Sequence, residues 1–251
     1  MSNFKVATRE HNSFLAAAEK RALIWIAYRL PLWINSDHLT ALGFIAMILA
    51  GLSYWYARWN PLGLLAVIPL LAINWFGDSL DGTLARVRNR QRPRYGFYLD
   101  HVIDAFSMTI LFCGIAASGY MSWPVVAAFL VVYFMLCIEI YLATYTLGVF
   151  HLSFIGFGPT ELRILLAFGN IKAFFHPIAH IKGTSYLLFD IGGVVATIGV
   201  TVVLLASTIK HTRMLYLAER LAPAADLEPT PANTGTNSQR SSDRSKGRSI
   251  A

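Results

Sequence analysis

Asp78-Ser79-Leu80-Asp81-Gly82-Thr83-Leu84-Ala85-Arg86, nine further residues, then Gly96-Phe97-Tyr98-Leu99-Asp100-His101-Val102-Ile103-Asp104 is the stretch that decides the fold of this chain. Four carboxylates lie there inside otherwise apolar sequence. Asp78 and Asp81 are three residues apart and Asp100 and Asp104 four apart, so on helices each pair projects from one face. Between the pairs, residues 86–94 read Arg-Val-Arg-Asn-Arg-Gln-Arg-Pro-Arg, a turn too hydrophilic to remain in lipid. If the chain folds back at this turn, Asp81 and Asp100 are level with each other, and so are Asp78 and Asp104. Four negative charges at one depth repel one another unless they keep their protons or bind cations. A set of oxygen ligands alone favours hard metals such as magnesium.

Composition places this hairpin in a membrane. The 251 residues are 55% hydrophobic and only 14% charged, with a mean hydropathy of +0.51. A soluble domain normally carries about a quarter charged residues. Apolar windows at 39–58, 61–80, 96–121, 123–148, 161–175 and 184–209 approach or exceed the roughly 20 residues that cross a bilayer. The expectation is an all-α integral membrane protein with six transmembrane helices. The window at 161–175 is the least apolar, because it holds Asn170 and Lys172. Ahead of the spans, residues 13–30 alternate Phe14, Leu15, Trp25 and Ile26 with Glu19, Lys20, Arg21 and Arg29. That pattern suits an amphipathic helix lying on the membrane surface. Residues 1–12 are polar and do not read as a cleaved leader.

The basic residues set the orientation. Five arginines crowd 86–94; Lys20, Arg21 and Arg29 precede the first span, and Lys210 and Arg213 follow the last. Six spans put all three groups on one side, which the positive-inside rule assigns to the cytoplasm together with both termini. The net charge of +7 then reflects topology and anionic headgroups, not nucleic acid. Three regions result: a polar segment and surface helix over 1–36, a six-helix membrane domain over 37–215, and a polar tail over 216–251. The tail is rich in Pro, Ser, Thr and Asn and reads as disordered. Cys113 and Cys137 both fall in apolar spans and offer neither a disulfide framework nor a thiolate metal site.

The string from 78 to 104 resembles the signature of the CDP-alcohol phosphotransferase (CDP-alcohol phosphatidyltransferase) family, D-x2-D-G-x2-A-R, a gap of eight or nine, then G-x3-D-x3-D. Asp78, Asp81, Gly82, Ala85, Arg86, Gly96, Asp100 and Asp104 fill every fixed position. The resemblance implies an enzyme of phospholipid biosynthesis that moves a substituted phosphate from a CDP-linked donor to an alcohol hydroxyl and releases CMP. One of the two substrates is a lipid. It implies that Asp78, Asp81, Asp100 and Asp104 bind Mg2+ or Mn2+, with Asp104 also the general base. Gly82, Ala85, Arg86 and Gly96 are then substrate-binding positions, Arg86 offering its forked donors to a diphosphate oxygen. Gly96 permits close helix approach. A homodimer in a bacterial inner membrane, with its active site facing the cytoplasm, completes the expectation.

Other features allow two readings. Residues 35–40, Asn-Ser-Asp-His-Leu-Thr, lie where many relatives carry Pro-Asn; the proline is absent, and Ser36 or Asp37 equally well caps a helix. Glu139 lies mid-span and needs a partner, structural or substrate. Gly158-Pro159-Thr160-Glu161-Leu162-Arg163 and Asp100-His101 resemble strings in the choline and ethanolamine phosphotransferases, and Arg163 is suited to a phosphate. His176 and His180 have metal-ligand spacing but no third ligand. Two rival classes remain beside the enzyme. A cation transporter needs carboxylates near the midplane and matched broken helices, and a catalytically silent membrane protein has no need of four aspartates.

Overall fold

The computed structural model describes residues 16–147, 159–181 and 183–219. Among these the chain forms seven helices and one short hairpin. The helices are α1 (Ala16–Arg29), α2 (Ser36–Ala57), α3 (Leu62–Val87), α4 (Pro93–Ser118), α5 (Trp123–Leu147), α6 (Pro159–Phe175) and α7 (Leu188–Ala218). Strands β1 (Ile178–Ile181) and β2 (Thr184–Leu187) pair antiparallel between α6 and α7, with Ile178 opposite Leu187. The protein is an all-α membrane protein.

Five helices, α2, α3, α4, α5 and α7, are long and apolar enough to cross a membrane. The expected count of six is corrected at α6. Its 17 residues rise only about 26 Å, short of a hydrocarbon core of about 30 Å. The window at 184–209 is also shifted. Residues Thr184–Leu187 form β2, and helix α7 starts at Leu188 and runs on to Ala218. The cause is local: Pro177 cannot continue α6, and Gly183 turns the chain at φ +84°, a conformation that glycine adopts without steric cost. At the other end α7 passes the expected boundary at 215, and residues 220–251 of the polar tail lie outside the described residues. So do residues 1–15 and the end of the window at 148.

Helices α2, α3 and α4 form the tightest part of the bundle. Their shared core holds Ala50, Tyr54, Leu64, Val67, Leu71, Leu111 and Ile115. In lipid there is no hydrophobic drive between helices, so close association rests on small residues that let backbones touch. Gly77 of α3 is such a point: a Cβ there would lie 2.6 Å from the Leu39 carbonyl oxygen of α2. The buried Tyr54 hydroxyl accepts a hydrogen bond from Asn170 Nδ2 of α6 at 2.7 Å, which joins that short helix to the core.

Helix α1 packs Leu23 and Ala27 against Leu39, Leu80 and Leu84 and leaves Trp25 and Tyr28 exposed. The buried face is thus Leu23 and Ala27, while Trp25, which the sequence pattern puts on the apolar face, lies on the exposed one. The guanidinium of Arg29 lies 3.7 Å over the Trp25 ring. Beyond α1, the backbone carbonyls of Leu30 and Pro31 accept hydrogen bonds from Arg88 Nη2 at 2.8 and 3.0 Å, and that of Ile34 accepts one from Nη1. Arg92 pairs with Asp37 at the start of α2. The basic loop between α3 and α4 is thus tied down on the α1–α2 connection. Asn89, at its tip, takes φ +52°, which asparagine tolerates better than most residues.

Candidate active site

The hairpin of α3 and α4 brings three of the four expected carboxylates together. Oxygens of Asp78, Asp100 and Asp104 all lie within 4.8 Å of one another. Asp78 and Asp100 are half-buried and Asp104 is exposed, so the cluster opens outward while its floor is protein.

Asp81 is held apart from that group. Its Oδ2 accepts a hydrogen bond from Thr40 Oγ1 at 2.6 Å, and its Oδ1 accepts the N–H of Gly82. Ser36 Oγ donates to the Asp81 carbonyl oxygen at 2.9 Å. Helix geometry explains the separation. A step of three residues turns a helix by about 300°, so Asp81 is rotated about 60° from Asp78, toward α2. The first turn of α2 receives it. Neither Ser36 nor Asp37 caps that helix; Asn35 is the N-cap, and its N–H donates to His38 Nδ1 at 3.2 Å.

Two residues outside the string join the cluster. Arg163, in the first turns of α6, donates from Nη2 to Asp78 Oδ2 at 2.8 Å and from Nε to Asn74 Oδ1 at 2.9 Å. Asn74 lies one turn before Asp78 on α3 and donates from Nδ2 to the Gly43 carbonyl oxygen at 3.2 Å. Three carboxylates thus cluster where Arg163 pairs with one of them, Asp78. A cluster of this kind, presenting oxygen ligands only, is suited to a hard divalent cation. Asn74 escaped the sequence reading, and Thr40 entered it only as part of the string before the first span, not as a partner of Asp81. Asn74 is four residues from Asp78 and so was within reach of a helical-face argument; nothing near Thr40 in the chain points to Asp81.

The remaining expected positions fall as follows. Arg86 Nη2 donates to Thr83 Oγ1 at 3.1 Å, and a Cβ at Gly82 would lie 3.4 Å from the Arg86 guanidinium, so Gly82 and Arg86 share one surface. Ala85 is half-buried beside them. The close helix approach expected at Gly96 is not found: a Cβ there would meet nothing within 4 Å among the described residues. His101 Nδ1 lies 2.7 Å from the Phe97 carbonyl oxygen, and its ring stands 4.9 Å from that of Tyr141 on α5.

Glu139 finds its partner in His211 of α7, whose Nδ1 meets Glu139 Oε1 with both side chains mostly buried. His180 pairs with Ser185 Oγ across the hairpin at 3.0 Å, and His176 and His180 belong to no metal-ligating group among the described residues. Cys113 and Cys137 are free thiols. Gly158 and the side chain of Glu161 lie outside the described residues.

A family model described as CDP-alcohol phosphatidyltransferase matches residues 33–209 of the chain. That interval contains α2 to α6, most of α7 and every residue of the carboxylate cluster. A curated relative, the archaetidylinositol phosphate synthase of Pyrococcus horikoshii, is 33% identical over 94 residues, which are 38% of this chain and 47% of the relative. The matched part thus spans about half the length of that relative.

Proposed function

The chain belongs to the CDP-alcohol phosphatidyltransferase family, and from that premise we propose that it transfers a substituted phosphate from a CDP-linked donor to an alcohol, releasing CMP. The observation that carries the proposal is the convergence of Asp78, Asp100 and Asp104 within 4.8 Å in the α3–α4 hairpin. Carboxylates are costly inside a bilayer and are kept there for function. The three lie nearer the basic α3–α4 loop than the opposite ends of those helices, which suits the joining of a lipid to a water-soluble group. Among the described residues the halves of the chain show no matched broken helices of the kind a transporter uses.

Asp78, Asp100 and Asp104, with Asp81 behind them, would hold one or two divalent ions, Mg2+ or Mn2+, which neutralise the donor's diphosphate. Arg86 provides forked donors to a diphosphate oxygen. Gly82 and Ala85 present no bulk on the same surface, so the nucleotide can lie against the helix. Asp104 is the exposed member of the cluster, and we assign it the proton of the attacking hydroxyl. As that proton passes to the Asp104 carboxylate, the acceptor oxygen bonds to the phosphorus distal to cytidine. The bond from that phosphorus to CMP breaks, and CMP leaves with the electron pair. Asp81, fixed by Thr40, keeps the donor end of the site rigid.

Five arginines in the loop after α3 support a cytoplasmic active site, as in a bacterial inner membrane protein. A homodimer is part of the same proposal. Purified protein supplied with CDP-linked donors and alcohol acceptors should release CMP in a metal-dependent reaction. A folded preparation that releases none with any lipid-linked or soluble donor rules the proposal out.

A further inference from the structure

Helix α1 and the turn after it present an apolar face that packs on nothing in the bundle. Leu23 and Ala27 take the inner side, against Leu39, Leu80 and Leu84. Trp25, Tyr28, Leu32 and Trp33 stand outside that core and are 58%, 73%, 85% and 72% exposed. Trp25 and Tyr28, three residues apart, share one side of the helix, and Leu32 and Trp33 follow in the turn beyond it. That turn has a fixed backbone. The Ile34 N–H donates to the Pro31 carbonyl oxygen at 3.1 Å, and Arg88 bonds the carbonyls of Leu30, Pro31 and Ile34. Leu32 and Trp33 are therefore held outward by a backbone that is already satisfied.

Cations frame the same face. The Arg29 guanidinium lies 3.7 Å over the Trp25 ring and forms no ion pair among the described residues. Arg88 is bonded to carbonyl oxygens, which satisfy its donors without cancelling its charge. Between residues 20 and 37 the chain has three basic residues, Lys20, Arg21 and Arg29, and one acidic residue, Asp37. That single carboxylate is taken by Arg92. The face is thus apolar at its centre and positive at its border.

Depth and charge together identify what covers it. Helix α1 rests on Leu80 and Leu84 of α3, just before the arginine-rich stretch that begins at Arg86. A spanning helix leaves the hydrocarbon for the headgroup layer where such a stretch starts. Tryptophan and tyrosine favour that level, because each has an apolar body and a polar edge. Guanidinium groups beside them match lipid phosphate. A second copy seated on this face by two-fold symmetry brings arginine against arginine, and like charges oppose that pairing.

We infer that α1 and the turn after it form a docking surface for anionic phospholipid headgroups. Trp25, Tyr28, Leu32 and Trp33 seat among the upper acyl carbons, and Arg29, with Arg88 behind it, draws lipids of net negative charge in preference to zwitterionic ones. The inference goes beyond the transferase reading and stands without it.

The test uses the full-length protein, with Cys113 and Cys137 replaced by alanine, in bilayers of phosphatidylcholine mixed with phosphatidylglycerol. A fluorophore is attached at Tyr28→Cys, and one of the two lipids at a time carries a nitroxide quencher. At equal content of labelled lipid, the phosphatidylglycerol should quench about fivefold more effectively, the effect of one basic residue near an anionic surface. Arg29→Gln should remove most of that excess, and so should salt at about 1 M, which shortens the range of the attraction. An unchanged melting temperature shows that Arg29→Gln is folded. A fluorophore at Tyr145→Cys on α5 should be quenched equally by both lipids, since the chain has no lysine or arginine between residues 95 and 162. Equal quenching at position 28 overturns the inference, and so does an excess that Arg29→Gln leaves intact or that position 145 shares. Protection from both quenchers that grows with the protein-to-lipid ratio means that a second copy covers the face, which overturns it as well.

Discussion

Arg163 of α6 lies against Asp78 of α3, with Nη2 2.8 Å from Oδ2, across 85 residues of sequence. The bond joins helix α6 to the carboxylate cluster and sets a guanidinium against it. It also makes the guanidinium part of the site's electrostatics. Removing it leaves Asp78 and Asn74 without their partner in a partly buried position.

Arg163→Gln should therefore lower kcat/KM for the donor about 10- to 100-fold, in line with the loss of a hydrogen bond between charged groups. The same variant should need more divalent cation for half-maximal activity if Arg163 orients Asp78, and less if it competes with the metal. Titration of activity against free Mg2+ separates the two outcomes. An unchanged kcat/KM discards the role.

Asp104→Asn and Asp81→Asn should fail differently. The first is nearly isosteric but cannot accept the hydroxyl proton at neutral pH, so turnover should fall by about 10²- to 10⁴-fold with donor binding largely kept. The second disturbs the position fixed by Thr40 and should weaken donor binding as well. CMP release and donor affinity on both variants decide the assignment. Near-normal turnover in Asp104→Asn contradicts its role as the base.

Thr40→Val removes the hydroxyl that holds Asp81 at 2.6 Å and keeps the shape of the side chain. Its apparent affinity for Mg2+ should drop by about tenfold or more, since a hydrogen bond to a charged group is lost. Retention of wild-type metal dependence means that the bond only stabilises the start of α2, and a lowered melting temperature with unaltered kinetics identifies that case.

These two helix ends show what could be read from the chain and what could not. The position of Asp78, Asp100 and Asp104 followed from local spacing about a single turn, because helical rise and rotation act over a few residues. The same symmetry does not show that Asp81 stands apart from the close group of three: its azimuth on α3 carries it toward Thr40 of α2. Partners such as Thr40, Asn74 and Arg163 are set by how helices pack, and hydropathy carries no record of that. The sixth span failed for a related reason. Residues 161–175 are apolar enough to suggest a crossing, yet α6 has 17 described residues and Pro177 cannot continue it.

Metal removal should abolish the reaction. Protein stripped with a strong chelator should form no CMP, and Mg2+ or Mn2+ should restore formation. Calcium tests geometry: it accepts six to eight oxygen ligands at longer distances, so weaker support by Ca2+ is expected. Full activity in excess chelator, after tightly bound ions have been removed, is incompatible with the carboxylate cluster acting through a cation.

Asn89→Cys places a thiol at the exposed tip of the loop between α3 and α4. With Cys113 and Cys137 first replaced by alanine, an impermeant maleimide should label this site in permeabilised cells and not in intact ones. Labelling in intact cells reverses the orientation and separates the site from cytosolic nucleotide substrates.

The Arg88 guanidinium, bonded to the carbonyls of Leu30, Pro31 and Ile34, has a mechanical meaning. Three hydrogen bonds from one planar group form a rivet between the end of α3 and the α1–α2 connection. A torque on α1 reaches α3 both through this rivet and through Leu23 and Ala27 packed on Leu80 and Leu84. Lateral pressure among headgroups, acting on the exposed Trp25 and Tyr28, is therefore borne by the frame that sets the spacing of Asp78 and Asp100.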